Sequence, residues 1–166
     1  MTIHLIIGPV GAGKSTFARA LGARHRAVLL ILDDWMARLY GDDERPAIGR
    51  IAWYLERRDR CLEQIWSVTR SLCDLGTNVV LEIGLIQRAD RDAFYGRVED
   101  AGYKLAVYVL DAPRDVRRER VLRRNVERGE TFAQEVPPEF FELASDRWQP
   151  PDADEVRDRA IIFPSS

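Results

Sequence analysis

The sequence predicts an α/β protein, a parallel sheet with helices on both faces, and three observations carry the prediction. Short apolar runs alternate with longer segments whose apolar residues recur at three- and four-residue steps. The runs are nearly all apolar rather than alternating, which suits strands covered on both faces. The first run ends in a glycine-rich turn, Gly8-Pro9-Val10-Gly11-Ala12-Gly13-Lys14-Ser15, that leads into a helical pattern.

Each element has a local reason. Residues 3–7 form an apolar run stopped by glycine, a buried strand, and 15–23 read as a helix. Residues 27–32 make a second run. Asp33 follows and is expected to cap a short helix through Tyr40. Residues 41–46 are rich in turn formers. Ile48, Ile51, Leu55, Leu62, Ile65, Trp66, Thr69 and Leu72 then mark one buried face of a long helix that Gly76 ends. Residues 78–83 are a third strand, 88–101 a helix and 103–110 a fourth strand. Residues 113–128 read as an arginine-rich helix docked by Leu122 and Val126. A short helix within 136–148 and a last strand at 159–163 follow, and the end from Pro164 reads as frayed.

Composition bounds the function. A chain of 166 residues with 46% hydrophobic content is expected to form one domain with a real core. A net charge of −2 excludes a generally basic nucleic-acid binder. No apolar stretch reaches the ~18 residues a membrane span needs. The first residues lack a basic start and a cleavage site, so a cytoplasmic protein is expected. Cys61 and Cys73 fit neither a metal-ligand spacing nor a disulfide framework and read as reduced core residues.

Only Lys14 and Lys104 are lysines in a chain with 25 basic residues, and Lys14 closes the glycine-rich turn. The turn satisfies G-x-x-x-x-G-K-[ST], a match with a chance probability below about 1% at average residue frequencies. Glycines let backbone N–H groups converge on phosphate oxygens, and the following helix points its positive end at the same place. Lys14 reaches phosphates as a thin point charge, and the Ser15 hydroxyl suits Mg²⁺. Gly8, Pro9, Val10, Gly11, Ala12, Gly13, Lys14, Ser15 and Thr16 are therefore the expected nucleotide-binding residues.

On these residues the chain resembles the P-loop kinases, specifically the small ATP-dependent phosphotransferases related to polynucleotide kinase, gluconate kinase and chloramphenicol phosphotransferase. The resemblance implies a P-loop NTPase fold, a five-stranded parallel sheet in order 2-3-1-4-5, and a lid after the fourth strand, here about residues 113–130. It implies ATP and Mg²⁺ as cofactors and a small-molecule hydroxyl as acceptor.

Three groups of residues are candidates for the chemistry. In "LLILDDWMARLY", Asp33 and Asp34 follow the second strand, where open parallel sheets bind ligands. The resemblance implies that Asp33 takes or orients the acceptor proton, with Asp34 in reserve; the competing reading is that Asp33 only caps its helix. In "NVVLE", Glu82 ends the third strand, where the resemblance implies an acid that steadies Mg²⁺. A substrate contact or an ordinary strand-end ion pair is the alternative.

Arg117, Arg120, Arg124 and Arg128 fall on one helical stripe, and the resemblance of "R-x-x-x-R-N" singles out Arg120 and Arg124 as lid arginines. The competing reading is a solvated helix laced with Asp115, Glu119 and Glu127. Arg88 and Arg91 are further substrate candidates. His4 is expected in the core and His25 at the surface. Trp53 and Tyr54 fall off the buried stripe and either line a pocket or cover a loop, and Trp148 is a candidate neighbour of the nucleotide.

A guanine-nucleotide switch is excluded, since neither N-K-x-D nor D-x-x-G after the third strand occurs. The readings left are a small-molecule kinase, a kinase of polynucleotide 5′ ends, which needs a basic channel, and a non-catalytic ATP sensor.

Overall fold

The computed structural model describes residues 1–129, 132–133, 135–159 and 161–164. Its elements are β1 (Thr2–Ile7), α1 (Lys14–His25), β2 (Val28–Ile31), α2 (Leu32–Tyr40), α3 (Arg50–Asp74), β3 (Val79–Glu82), α4 (Arg88–Asp100), β4 (Lys104–Val109), α5 (Arg114–Glu127), α6 (Pro138–Asp146), α7 (Ala153–Asp158) and β5 (Ile161–Ile162). The strands form one all-parallel sheet in the order β2-β3-β1-β4-β5, as the resemblance implied. Successive side chains on a strand point to opposite faces. Ile3, Leu5, Ile7, Val79, Leu81, Val107 and Val109 accordingly pack with Ile65, Phe94, Tyr95 and Val98 of α3 and α4. Ile6, Val80 and Tyr108 pack on the other side with Ala18 and Leu21 of α1. The result is the three-layer sandwich of the P-loop NTPase fold. β1 lies at the centre, so the turn that follows it opens into the crevice beyond the strand ends.

Several expectations are corrected by packing. Asp33 is no helix cap: α2 already starts at Leu32, its N-cap is Ile31, and no side chain caps it. Ile48, which precedes α3, and Ile51, in its first turn, are 92% and 58% exposed, and the buried residues of α3 are Cys61, Ile65, Thr69 and Cys73. The periodicity continues past the point where the sheet can cover it. Both cysteines are free thiols in the core, as expected.

Leu122 and Val126 do not dock α5; they are exposed, while Val121 and Arg117 are buried. The partner of α5 is the small cluster of Val10, Val136 and Phe141 rather than the sheet. His4 is buried, as expected, with Nδ1 3.2 Å from the Tyr108 hydroxyl. His25 is half-buried rather than exposed, its ring centroid 4.4 Å from that of His4.

The sequence reading missed α7, a short polar helix. The Asp152 side chain accepts from the Glu155 N–H at 2.8 Å and caps it. Residue 130 of the expected lid, residue 160 of the expected last strand and residues 165–166 of the expected frayed end lie outside the described residues. Among the described residues no helix is long and apolar enough to cross a membrane.

Candidate functional site

The loop between β1 and α1 can follow its path only with glycine at two close approaches. Gly8 (φ 150°) passes the Leu110 carbonyl, and any Cβ there would collide with that oxygen. At Gly11 (φ 80°) a Cβ would stand 2.6 Å from the Arg117 carbonyl oxygen. The loop is thereby pressed against β4 and the first turns of α5. Arg117 fixes the contact: it donates to Val10 O at 3.0 Å, Ala112 O at 3.0 Å and Ser145 Oγ at 3.1 Å. Its place on the expected stripe does not make it a phosphate ligand; it is a buried clamp behind the loop.

A cleft of about 870 Å³ opens beyond the strand ends and is lined by Gly8, by residues 10–16 and by Asp33 and Glu82. Pro9 stands behind the lining, and its carbonyl accepts from Lys14 Nζ at 2.9 Å. Lys14 Nζ is also 3.9 Å from Glu82 Oε1. Glu82 is buried, and its Oε2 has no hydrogen-bond partner. Burial pushes the Glu82 carboxyl above the usual carboxylate range; Lys14 opposes the shift, Asp33 adds to it, and the Ser15 hydroxyl opposes it.

Asp33 keeps contact with water in the open cleft, yet protein crowds around it. Burial raises its carboxyl, with Lys14 and Arg124 pulling the other way and Asp34 adding to the rise. Asp34 does not line this cleft. It lines a small neighbouring recess with Ser15, Arg19 and Arg124, so of the pair it is Asp33 that faces Lys14 and the loop.

The opposite rim is α5. Arg120, Arg123, Arg124 and Glu127 line the cleft, whereas Arg128 lies over the Phe132 ring. Arg120 and Arg123 are exposed, and the half-buried Arg124 has an Nε with no partner. Asn125, next in sequence, fixes the helix: its Nδ2 donates to Val136 O at 2.8 Å, and Val136 N donates to its Oδ1 at 3.2 Å.

Arg88 and Arg91 are directed elsewhere. Arg91 is fully buried and bidentate with Glu155, at 2.7 and 2.8 Å, and Glu155 also accepts from the Tyr95 hydroxyl at 2.8 Å. Burial alone would raise the Glu155 carboxyl, but hydrogen bonds from Arg91 and Tyr95 and the Arg91 charge hold it below its usual range. Arg88 pairs with Asp92 at 2.9 Å and Asp152 at 2.5 Å. These two arginines tie α4 to α7 and do not line the cleft.

Trp148 donates from Nε1 to Asp111 at 3.1 Å, and Asp111 lines the cleft. Tyr54, which the sequence left between two readings, lines the cleft; burial and then Asp33 push its phenol up to about 12. Trp53 covers a neighbour instead, with the Arg57 guanidinium 4.0 Å from its ring centroid. Phe140 lines the cleft as well and went unrecognised, since nothing in its local sequence says which way α6 faces.

The residues fit Mg²⁺ bound through a nucleotide. Among the described residues no cluster of three or more His, Cys, Asp or Glu could hold a metal by itself. Mg²⁺ keeps several waters and takes one or two protein oxygens together with phosphates. Ser15 and the unpartnered oxygen of Glu82 offer such a donor set beside the phosphate loop.

Comparison with known proteins agrees with this fold. No curated protein matches the chain. A chain of the Pnkp1/Rnl/Hen1 RNA repair complex superimposes with TM-score 0.62 at 22% identity over 88% of this chain, which spans only 43% of that longer one. Kti12 of Chaetomium thermophilum in complex with ADP-AlF3 gives TM-score 0.71 at 18% identity, over 98% of this chain and 88% of Kti12. A gluconokinase from Sinorhizobium meliloti 1021 gives 0.55 at 17%, over 98% and 82%. These likenesses are of fold. The model of one family matches residues 3–151, nearly the whole sandwich with its phosphate loop, both acids and α5, and the chain therefore belongs to the AAA domain family.

Proposed function

We propose that the protein is an ATP-dependent phosphotransferase that moves the γ-phosphate of ATP to a hydroxyl of a small molecule. One observation carries the reading: Asp33 and Glu82 line a single cleft together with the phosphate loop, Lys14 and the α5 arginines. A site that only held nucleotide would have no use for a second acid set apart on α2. In the proposed step the acceptor oxygen forms the new P–O bond, the bond to the departing ADP breaks, and the acceptor proton passes to Asp33. Lys14 and the loop N–H groups hold the β- and γ-phosphates, while Arg120 and Arg124 neutralise charge that grows as the phosphoryl group moves. Mg²⁺, held by Ser15 and Glu82, would draw charge from the phosphate oxygens. Helix α5 closing over the cleft would exclude water that would otherwise take the phosphoryl group. The cytoplasm, which holds ATP and keeps Cys61 and Cys73 reduced, is the compartment that suits such an enzyme.

The test is ATP-dependent gain of one phosphate, read by mass, across a panel of hydroxyl compounds. Gain on a subset of them, lost with Lys14→Ala, is expected. ATP binding without transfer to any hydroxyl would instead support a nucleotide sensor.

A further inference from the structure

The two walls of the cleft differ in charge. Every cation that lines it comes from the loop or α5: Lys14, Arg120, Arg123 and Arg124. The other wall is built from α2, α3, α6 and the turn after β3. It carries Leu32, Tyr54, Ile86 and Phe140 with the carboxyl group of Asp33, while Glu82 sits beside Lys14 of the loop. Among the described residues no lysine or arginine lines that wall. Arg58, the cation that Tyr54 feels, is held to Asp59 by hydrogen bonds of 2.9 and 2.7 Å and stays outside the lining. Arg57 is spent on Trp53 and Asp43.

Tyr54 and Phe140 stand edge to face with centroids 6.3 Å apart at 71°. Phe140 is 42% exposed, a large ring kept in contact with cleft water instead of the core. Apolar pockets with a few convergent polar groups are the usual form of small-molecule sites. Aromatic faces favour flat rings and, through their negative π surface, cations.

Resting on the kinase reading above, we propose that this wall is the acceptor subsite and that it selects an uncharged or cationic ring alcohol against an anionic one. A carboxylate or phosphate on the acceptor would lie against Asp33, and the cations that Asp33 feels, Lys14 and Arg124, belong to the loop and α5 and are engaged by the triphosphate. A neutral ring stacks on Tyr54 and Phe140 with its hydroxyl at Asp33, and an ammonium substituent gains from both the rings and Asp33. The same absence of cations leaves no track for the phosphates of a polynucleotide beyond its first residue.

The experiment uses the full chain with Mg·ATP and three sets of ring alcohols matched in size: neutral, amino-substituted, and carboxylated or phosphorylated. Transfer is read by mass gain and kinetics. The neutral and amino sets are expected to be used with kcat/KM at least about tenfold above the anionic set. Tyr54→Leu and Phe140→Leu should each raise the acceptor KM about tenfold with little change in kcat, and Phe140→Arg should narrow the gap between neutral and anionic sets. Preference for the anionic set, or an unchanged acceptor KM in both leucine variants, would overturn the inference and leave the kinase intact. Transfer to acyclic alcohols but to none of these sets would overturn this inference and leave the kinase intact, whereas ATP binding with transfer to no hydroxyl compound of either kind would remove both.

Discussion

Glu82 meets two opposing demands at the scale of a single residue. A buried carboxylate with an unpartnered oxygen is costly, and Lys14 at 3.9 Å offsets only part of the cost. Its folded pKa lies above the unfolded value, so its contribution to stability is complete below the usual carboxylate range and is lost as pH rises through the folded value. Glu82→Gln should therefore stabilise the free protein at neutral pH by about 1 kcal/mol, a melting shift of roughly 2–4 °C. The gap from the parent should close at acid pH, and the variant should need more Mg²⁺ for transfer. Thermal scans at several pH values and a Mg²⁺ titration of activity read both effects, and equal melting points at pH 7 would contradict the assignment.

Asp33→Asn separates the roles of the two acids. It should bind Mg·ATP almost normally and lose transfer by about 100-fold or more, because an amide takes no proton. Lys14→Ala should weaken ATP binding and abolish transfer, and near pH 7 it should lower the melting temperature in the parent but much less beside Glu82→Gln, since its ammonium is the cation 3.9 Å from the buried Glu82 carboxylate.

At the scale of the element, α5 serves two purposes on two faces. Val121 and Arg117 fasten it to the phosphate loop and α6, and Arg120 and Arg124 face the cleft. The sequence disclosed the arginines but assigned the faces wrongly. A 3.6-residue period says which residues share a side, not which side finds a partner. Leu122 and Val126 fit the usual rule for a docking stripe, yet the surface offered to α5 is the polar back of a glycine loop, and a buried arginine answers its carbonyls. Arg120→Ala or Arg124→Ala should each reduce turnover on the order of a hundredfold, with a smaller loss of ATP affinity, because charge on the phosphoryl group peaks in transfer. If α5 closes on nucleotide, its amide exchange should slow when a non-hydrolysable ATP analogue and Mg²⁺ are added. Unchanged exchange with normal turnover in both variants would leave α5 a static rim.

On the scale of the whole molecule, acid stability rests on two buried groups far from the cleft. His4 is depressed by burial and by its neighbour His25, and Glu155 is held low by Arg91 and Tyr95. Both signs agree. The His4 contribution is complete above about pH 6.5, the unfolded histidine value, and is lost as pH falls below it; that of Glu155 is lost below the usual carboxylate range. His4→Gln should lessen the loss of melting temperature as pH drops below about 6.5, read by thermal scans beside the parent. Breaking the Arg91 pair by Glu155→Gln should cost about 3–5 kcal/mol near pH 7. If Arg91 were a substrate ligand instead, the same change would spare stability and impair activity.

What the chain determined by itself was whatever has a local cause. Strand and helix order followed from apolar period, and the nucleotide side of the cleft followed from G-x-x-x-x-G-K-S, where each residue has its own steric or electrostatic task within one turn. Asp33 and Glu82 were legible because strand ends in a parallel sheet open on one crevice. The tertiary structure decided matters that depend on distant partners. It turned Arg91 from the site to Glu155, 64 residues away, made a helix of the polar segment at α7, and brought Tyr54 and Phe140 together on one wall of the cleft. A side chain's composition and spacing say what it can do, but the free energy of burying it depends on the groups that meet it, and those arrive from elsewhere in the chain.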